Sequence, residues 1–157
     1  MITIQQYKPF INSLDFDFLV KKSAKEIIEH GFGYDAFLAH VLPEIKKTER
    51  AFILYEDGKP VGYEFMLIKY RKANTCFTYL LPEYRGRGLG SFLREFSFMH
   101  FWDEYDEISG PIKLKNTASI KSIEKIAKKL GLTIDKNYYL NQEGEKIEYT
   151  RLIKRPD

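Results

Sequence analysis

Three glycines and two arginines are concentrated in one short stretch of this chain. The stretch reads Leu-Leu-Pro-Glu-Tyr-Arg-Gly-Arg-Gly-Leu-Gly over residues 80–90. It lies between a β-favouring run, residues 74–81, and a segment whose apolar residues recur at helical spacing. The first amides of a helix have no intrahelical partner, and together with the helix dipole they attract anions. This pattern predicts a phosphate-binding turn between a strand and a helix.

The residue types in this turn suit a phosphate group. Glycine has no side chain, so its backbone amide can approach a bound anion closely. Arginine adds positive charge and a fork of donors that matches phosphate oxygens. The residues expected to hold the anion are Arg85, Gly86, Arg87, Gly88, Leu89, Gly90 and Ser91.

Other glycine-rich turns bind phosphate, and the spacing here fits them less well. A P-loop needs Gly, four residues, then Gly-Lys-Ser/Thr, and no such run is present. A dinucleotide fingerprint starting at Gly86 would need a small residue at 91, which Ser91 nearly supplies. It would also need a βαβ unit, whereas this turn follows an apparent β-meander. A turn without a ligand would not need two arginines between three glycines.

The turn resembles the acyl-CoA loop of the GNAT N-acetyltransferase family. The family core is Gln or Arg, two variable residues, Gly, a variable residue, then Gly or Ala, and it maps onto Arg85, Gly88 and Gly90. A second stretch supports the resemblance. Asn116-Thr-Ala-Ser-Ile opens a predicted helix that ends in Lys-Leu-Gly-Leu at residue 132, similar to the family's Asn-x-x-Ala/Ser start and Lys-Leu-Gly-Phe finish.

The order of predicted elements extends this resemblance over nearly the whole chain. Strands are predicted over residues 2–7, 51–55, 61–70, 74–81, 111–115, 133–140 and 146–153, and Asp57-Gly58 predicts a hairpin turn. Helices are predicted over 12–31, over 34–47 with an interruption at Pro43, after the glycine loop, and over 117–130. The order β-α-α-β-β-β-α-β-α-β-β resembles the GNAT fold. The resemblance implies an α/β (α+β) fold with a mixed central sheet and a splay between the fourth and fifth strands.

Apolar spacing also predicts which helix faces are buried. In the first helix the expected stripe is Leu14, Phe18, Ile27 and Ile28, and after the glycine loop it is Leu89, Phe92, Leu93, Phe96 and Met99. Further aromatic residues follow, namely Phe98, Phe101, Trp102 and Tyr105. They either make additional contacts within the domain or form a dimer face.

Acyl transfer from a thioester to an amine needs a held donor, a neutral amine and a stabilised oxyanion. The resemblance implies that the backbone of Leu80 and Leu81 contacts the pantetheine arm and the thioester oxygen. It also places Asn116 against the cofactor arm. A cap for the following helix explains Asn116 equally well.

The proton-transfer groups of the family are not carried over. Many relatives have a tyrosine in the last helix. Counting forward from Asn116 places Ile123 at that position, and counting back from Gly131 places Ala127 there. The predicted strands 74–81 and 111–115 contain no carboxylate. Glu64, Tyr79 and either Tyr138 or Tyr139 are the replacement candidates. The alternative is an ordinary sheet aromatic for each tyrosine and a solvated strand residue for Glu64. His100 and Cys76 are expected to be structural.

Composition limits the remaining possibilities. With 157 residues, 44% hydrophobic and 30% charged, the chain is expected to form a single domain over 1–157. A net charge of +3 does not predict nucleic-acid binding, and one cysteine with three histidines does not predict a metal site. Neither a signal peptide nor a long apolar run is evident, so a cytoplasmic location without membrane attachment is expected. The chain is expected to be a monomer or a homodimer.

These observations predict an acetyl-CoA-dependent N-acetyltransferase that needs no metal. The acceptor would be the primary amine of a small molecule or a peptide, acetylated directly without an acyl-enzyme. A non-catalytic acyl-CoA-binding or sensing module of the same fold is the alternative, because the family tyrosine is missing. A third possibility is an interaction protein with a vestigial loop. The sequence does not identify the acceptor.

Overall fold

The computed structural model describes residues 1–155. Its strands are β1 (Ile2–Gln6), β2 (Ala51–Glu56), β3 (Lys59–Lys69), β4 (Lys72–Leu80), β5 (Glu107–Lys113), β6 (Thr133–Leu140) and β7 (Lys146–Ile153). Its helices are α1 (Ser13–Lys22), α2 (Ala24–Glu29), α3 (Tyr34–Ala36), α4 (Leu42–Thr48), α5 (Leu89–His100) and α6 (Thr117–Leu130). Among the described residues, no helix is both long enough and apolar enough to cross a membrane.

The seven strands form one mixed sheet in the order β1-β2-β3-β4-β5-β7-β6. All neighbours whose register is resolved are antiparallel except β4 and β5, which pair in parallel through Lys72↔Glu107 and Ala73↔Ile108. The order of elements along the chain and the mixed α/β class agree with the sequence prediction. The parallel ladder is short, as expected for strands that splay.

The chain divides into two compact units. The first comprises Met1–Leu67 with Cys76–His100, and the second comprises Ile68–Thr75 with the residues from Phe101 onward. The predicted single domain over 1–157 also includes Pro156 and Asp157, which lie outside the described residues.

In the first unit, the hairpin between β2 and β3 has the predicted turn. Glu56 pairs with Lys59, and Asp57 and Gly58 between them have φ of 48° and 82°. Two consecutive positive φ values are typical of the turn that matches strand twist, and Asp-Gly adopts it readily. Both strands are buried on both faces over most of their length, because helices cover the sheet on each side.

The first predicted helix is two helices, and its buried face differs from the predicted one. The chain breaks at Ser23, whose buried hydroxyl bonds to the Val20 carbonyl oxygen at 2.8 Å and to the Tyr63 hydroxyl at 2.7 Å. The side chains packed in the core are Phe16, Leu19, Val20 and Ile27. Of the predicted stripe, Ile27 is buried, whereas Leu14, Phe18 and Ile28 are 84%, 44% and 57% exposed. Both stripes have helical spacing, so periodicity could not choose between them.

The interruption predicted at Pro43 is present as a widened turn. Between α3 and α4 the residues Phe37–Val41 form a π-helical turn, in which the Leu42 amide donates to the Phe37 carbonyl oxygen. Pro43 then lies in the first turn of α4, where its missing N–H breaks no helical hydrogen bond. The helical path therefore continues through the proline.

The buried face of α5 agrees with the predicted stripe at Leu89 and Leu93 but not at its other three residues. Leu89, Leu93 and Phe98 are buried, whereas Phe92, Phe96 and Met99 are 48%, 39% and 52% exposed. The buried side of α5 includes two polar residues, Ser97 and Arg94. A prediction from apolar residues alone assigns Ser97 and Arg94 to the solvent side. The predicted buried face is therefore turned about the helix axis relative to the observed one.

In the second unit, β6, β7 and α6 have the predicted bounds, but β5 does not. It begins at Glu107, four residues before the predicted start. Pro111 does not interrupt the strand, because it lies beyond the two residues that pair with β4. The expectation that this strand has no carboxylate is therefore wrong, since Glu107 lies on it and pairs with Arg151 at 2.9 Å.

The extra aromatic residues belong to the cores of their own units. Phe98 is 1% exposed in the first unit, and Phe101 and Tyr105 are 4% and 0% exposed in the second. Contacts within the domain therefore explain these three residues.

Candidate active site

The glycine loop leads from the end of β4 into α5. A single 3-10 turn, Pro82–Tyr84, is followed by Gly86 and Gly88 with φ of 80° and 77°. A Cβ atom built on either glycine would have no atom within 4 Å, so the backbone is open on the side where a side chain would stand. Only glycine adopts this backbone without strain. The loop therefore presents an exposed backbone at the amino end of a 12-residue helix, and a phosphate group fits such a surface.

Both arginines of the loop are held by carboxylates in the first unit. Arg87 donates to Glu56 through Nη2 at 2.6 Å and Nη1 at 3.1 Å. Arg85 donates from Nε to the Leu80 carbonyl oxygen at 3.1 Å and from Nη2 to Glu26 at 3.2 Å. The hydrogen bonds from Arg87 hold the pKa of Glu56 below its usual value. Each guanidinium has N–H donors that these bonds do not use. The carboxylates therefore orient the arginines and leave donors for a phosphate group.

Sequence reasoning did not single out Glu56 or Glu26. The sequence pattern places Glu56 only in the predicted hairpin turn and Glu26 only within a predicted helix. Their spacing from Arg87 and Arg85 is 31 and 59 residues, so no local pattern links the partners.

The two leucines at the end of β4 differ in their backbone contacts. The Leu81 amide donates to the Val61 carbonyl oxygen at 2.9 Å, and the Leu81 carbonyl oxygen accepts from the Tyr84 amide at 3.0 Å. Backbone groups alternate in direction along a strand, so those of Leu80 face away from β3. The Leu80 carbonyl oxygen accepts from Arg85 Nε at 3.1 Å, so its amide is the group that can face a ligand, while both Leu81 groups are engaged.

The catalytic candidates Glu64 and Tyr79 lie on opposite faces of the sheet. The Tyr79 ring is 5.9 Å from that of Tyr63, and its hydroxyl donates to the Lys22 carbonyl oxygen at 3.3 Å. Burial raises the pKa of Tyr79. Glu64 follows Tyr63 in β3 and therefore points to the other face, toward Arg94 of α5. The structure does not bring these two candidates together.

Glu64 is buried beside three partly buried residues, Cys76, Thr78 and Arg94, and the four are here called the Glu64 cluster. Glu64 is 1% exposed, and neither of its carboxylate oxygens has a hydrogen-bond partner among residues 1–155. Burial raises the pKa of Glu64 to about 8. The Arg94 charge and the nearby Thr78 hydroxyl act in the opposite direction, although the Thr78 hydroxyl is not placed to form a hydrogen bond with Glu64. The alternative of a solvated strand residue is therefore wrong for Glu64.

The other members of the Glu64 cluster are shaped by the same burial. Arg94 donates from Nε to the Thr78 hydroxyl at 3.4 Å, and burial lowers the pKa of Arg94. Burial, with the Glu64 charge, raises the pKa of the Cys76 thiol, so Cys76 is not a thiolate nucleophile near neutral pH. A buried titratable group with a raised pKa is typical of catalytic sites and also of structural ion pairs.

The remaining candidates lie in the second unit. The Asn116 side chain accepts a hydrogen bond from the Ser119 amide at 3.2 Å, so its role as a helix cap is confirmed. Tyr138 and Tyr139 are 63% and 47% exposed on β6. At the two positions where the family tyrosine was sought, Ala127 is fully buried and Ile123 is partly buried.

Comparison with protein families identifies the family that the glycine loop resembles. The model of the acetyltransferase (GNAT) family matches residues 13–125. The chain belongs to the GNAT acetyltransferase family. That range includes the GNAT glycine loop, the Glu64 cluster and the capping residue Asn116. No match by sequence was found among curated proteins.

Solved structures show the same GNAT fold. The ribosomal-protein-alanine N-acetyltransferase from Brucella melitensis is 14% identical, with a TM-score of 0.72 and coverage of 97% of this chain and 99% of that chain. Diaminobutyrate acetyltransferase EctA from Paenibacillus lautus, solved with L-2,4-diaminobutyric acid and coenzyme A, is 10% identical, with a TM-score of 0.72 and coverage of 100% and 98%. The protein yncA from Salmonella typhimurium, solved with its cofactor acetyl-CoA, is 15% identical, with a TM-score of 0.69 and coverage of 100% of this chain and 98% of that chain.

Proposed function

We propose that this chain is an acetyl-CoA-dependent N-acetyltransferase that acetylates a primary amine directly, as a single domain over residues 1–157. The observation that carries the proposal is the open backbone at Gly86 and Gly88, placed at the start of α5 and flanked by two oriented arginines. Family membership supports the same reaction class.

In this proposal the glycine loop holds the pyrophosphate of the donor. The backbone amides of residues 86–91 are its main ligands, and Arg85 and Arg87 add charge through the donors they do not share with carboxylates. The Leu80 amide faces the acyl arm, and Leu81 supports the end of β4 through its bond to β3. Asn116 acts first as a helix cap, and any contact with the arm is secondary to it.

The transfer step needs a proton acceptor and a proton donor. The amine nitrogen attacks the thioester carbon, a C–N bond forms, the C–S bond breaks, the amine loses a proton and the thiolate gains one. We propose Glu64 as the acceptor, acting through water because it is 1% exposed, with a pKa of about 8 that suits a base near neutral pH. Tyr139, which is 47% exposed on β6, is a better donor candidate than Tyr79, whose hydroxyl donates to the Lys22 carbonyl oxygen.

The acceptor is a primary amine of a small molecule or of a peptide. Two similar structures are described with these two kinds of acceptor, an alanine of a ribosomal protein and diaminobutyric acid. A screen should therefore contain amino-terminal alanine peptides, diamino acids and lysine peptides. Mass spectrometry after incubation with acetyl-CoA would detect an added acetyl group on the accepted class.

A substitution in the glycine loop gives the control for this screen. Gly88→Ala adds a methyl group where the pyrophosphate would approach, and we expect CoA affinity to fall at least about tenfold through lost charge-assisted hydrogen bonds. Gly144→Ala is the matched control, because Gly144 has φ of 76° and equally open surroundings in the turn after β6. Equal CoA affinity of the two folded variants in calorimetry would refute the proposed site.

A second candidate function is a module that binds acyl-CoA without turnover. Two observations favour it: the Tyr79 hydroxyl is engaged, and the fully buried Ala127 leaves no room for a family-like tyrosine. This candidate predicts CoA binding that Gly88→Ala weakens, with no acetylated product from any amine class.

A further inference from the structure

Helix α1 is apolar on both of its faces. The inner face is buried and consists of Phe16, Leu19 and Val20. The outer face and the turn before it have four exposed apolar side chains, Phe10 at 101%, Ile11 at 76%, Leu14 at 84% and Phe18 at 44%. These four residues are here called the α1 patch. Isolated exposed apolar residues are ordinary, but a contiguous group marks an interaction surface.

The local structure holds the α1 patch together. Leu14 and Phe18 are neighbours one helical turn apart, and Ile11 precedes Leu14 by three residues. The turn before the helix is tied down, because the amides of Ile11 and Asn12 donate to the Lys8 carbonyl oxygen at 3.2 and 3.3 Å. The buried Asn12 side chain also donates to the Gln6 carbonyl oxygen at 2.9 Å. The patch is therefore a built surface and not a frayed end.

Phe10 is the most unusual member of the α1 patch. Its φ is 68°, a left-handed conformation that a bulky residue rarely adopts. Its side chain is fully exposed. The backbone therefore keeps an aromatic ring in solvent at an unfavourable φ, and a partner that covers the ring would account for both features.

Charges beside the α1 patch are positive. The two carboxylates of α1 are engaged within the unit, Asp15 with the Tyr55 hydroxyl at 2.8 Å and Asp17 with Lys46 at 2.7 Å. Lys21 and Lys22, at the end of the same helix, form no ion pair among residues 1–155, and Lys22 lies 5.7 Å from the centre of the Phe18 ring. The uncompensated charge next to the patch is therefore basic.

We propose that the α1 patch, together with Lys21 and Lys22, binds the surface of an anionic lipid bilayer. Aromatic and aliphatic side chains on one face of a short helix insert into the interface, while adjacent lysines contact anionic headgroups. The proposal departs from the expectation based on composition, because a net charge of +3 does not reveal a local patch.

Membrane binding at the α1 patch leaves the glycine loop free. The patch follows the end of β1, where Gln6 pairs with Phe52 at the start of β2. The glycine loop is anchored at the other end of β2, where Arg87 binds Glu56. The inference therefore does not depend on the proposed function.

Flotation of the full chain with vesicles tests the proposal. We expect the protein to float with vesicles of mixed phosphatidylserine and phosphatidylcholine and to remain unbound with phosphatidylcholine alone. The double variant Phe10→Ser with Leu14→Ser should lose at least about tenfold in partitioning, and so should Lys21→Glu with Lys22→Glu. The matched controls are Tyr138→Ser with Leu140→Ser, which removes two exposed apolar side chains from β6, and Lys121→Glu with Lys125→Glu, which makes the same change in net charge on α6.

Circular dichroism should confirm that all variants are folded, because the changed residues are exposed. Absence of binding to the anionic vesicles, or equal binding of the wild type and the Phe10→Ser, Leu14→Ser variant, would overturn the proposal. A dimer in light scattering that this double variant dissociates would overturn it as well, in favour of a second copy of the chain on the patch.

Discussion

Arg87 and Glu56 form a bidentate ion pair, with distances of 2.6 and 3.1 Å, that joins the glycine loop to the end of β2. Glu56 thus competes with a bound anion for the donors of Arg87. A carboxylate beside a phosphate site also lowers the local positive potential. The affinity of the loop for CoA is therefore set partly by a residue outside the glycine motif.

The first prediction is that Glu56→Gln tightens CoA binding by about two- to fivefold at low salt, because Arg87 loses its charged partner. The gain should shrink at high salt, since exposed charge interactions are screened. Glu83→Gln is the matched control: it removes the same charge from the exposed loop, but Glu83 forms no ion pair among residues 1–155. Calorimetry that finds equal changes for the two variants would contradict a specific role of the Arg87–Glu56 pair.

A second prediction concerns the stability of the folded chain as a function of pH. The pKa of Glu64 is raised from 4.5 to about 8, so the folded state holds a proton that the unfolded state releases between these values. Stability should therefore fall as pH rises from about 4.5 to 8, by an amount on the order of a few kcal/mol. Glu64→Gln keeps the shape of the protonated carboxyl and should remove most of this fall.

Urea unfolding at several pH values would measure this effect. Glu148→Gln is the control, because Glu148 is also buried, at 2% exposure, but is paired with Lys136 at 2.6 Å. A stability profile of Glu64→Gln that parallels the wild type would show that the carboxyl is not the group responsible.

A third prediction separates a catalytic role of Glu64 from a structural one. If Glu64 accepts the amine proton through water, Glu64→Gln should lower turnover roughly 10²- to 10⁴-fold at neutral pH. The loss should be smaller at high pH, where the amine is already neutral, and CoA affinity should barely change. A pH–rate profile like that of the wild type would instead favour a water chain that carries the proton to bulk solvent.

The sequence was a good guide where local rules decide the structure. Helix α6 begins after the Asn116 cap and ends at Gly131, whose φ of 72° favours glycine, so both ends were predictable. The buried face of α1 was not predictable, because Leu14 and Phe16 are both apolar. Only packing against residues far along the chain decides which of them is buried. The depth of Glu64 depends on α5 lying over it, which a strand pattern does not reveal.

The last prediction is about the tyrosine that the family has in α6 and this chain lacks. Ile123 is partly buried, so Ile123→Tyr should be accommodated with little loss of stability. Ala127 is 0% exposed, so Ala127→Tyr should overpack the inner face of α6 and destabilise the chain by about 1–3 kcal/mol or more. Thermal unfolding of the two variants compares these effects directly. If turnover is limited by the lack of an acid, Ile123→Tyr should raise it, whereas Ile123→Phe, the control without a hydroxyl, should not. A rise with both variants would show that the added ring, and not proton donation, changes the rate.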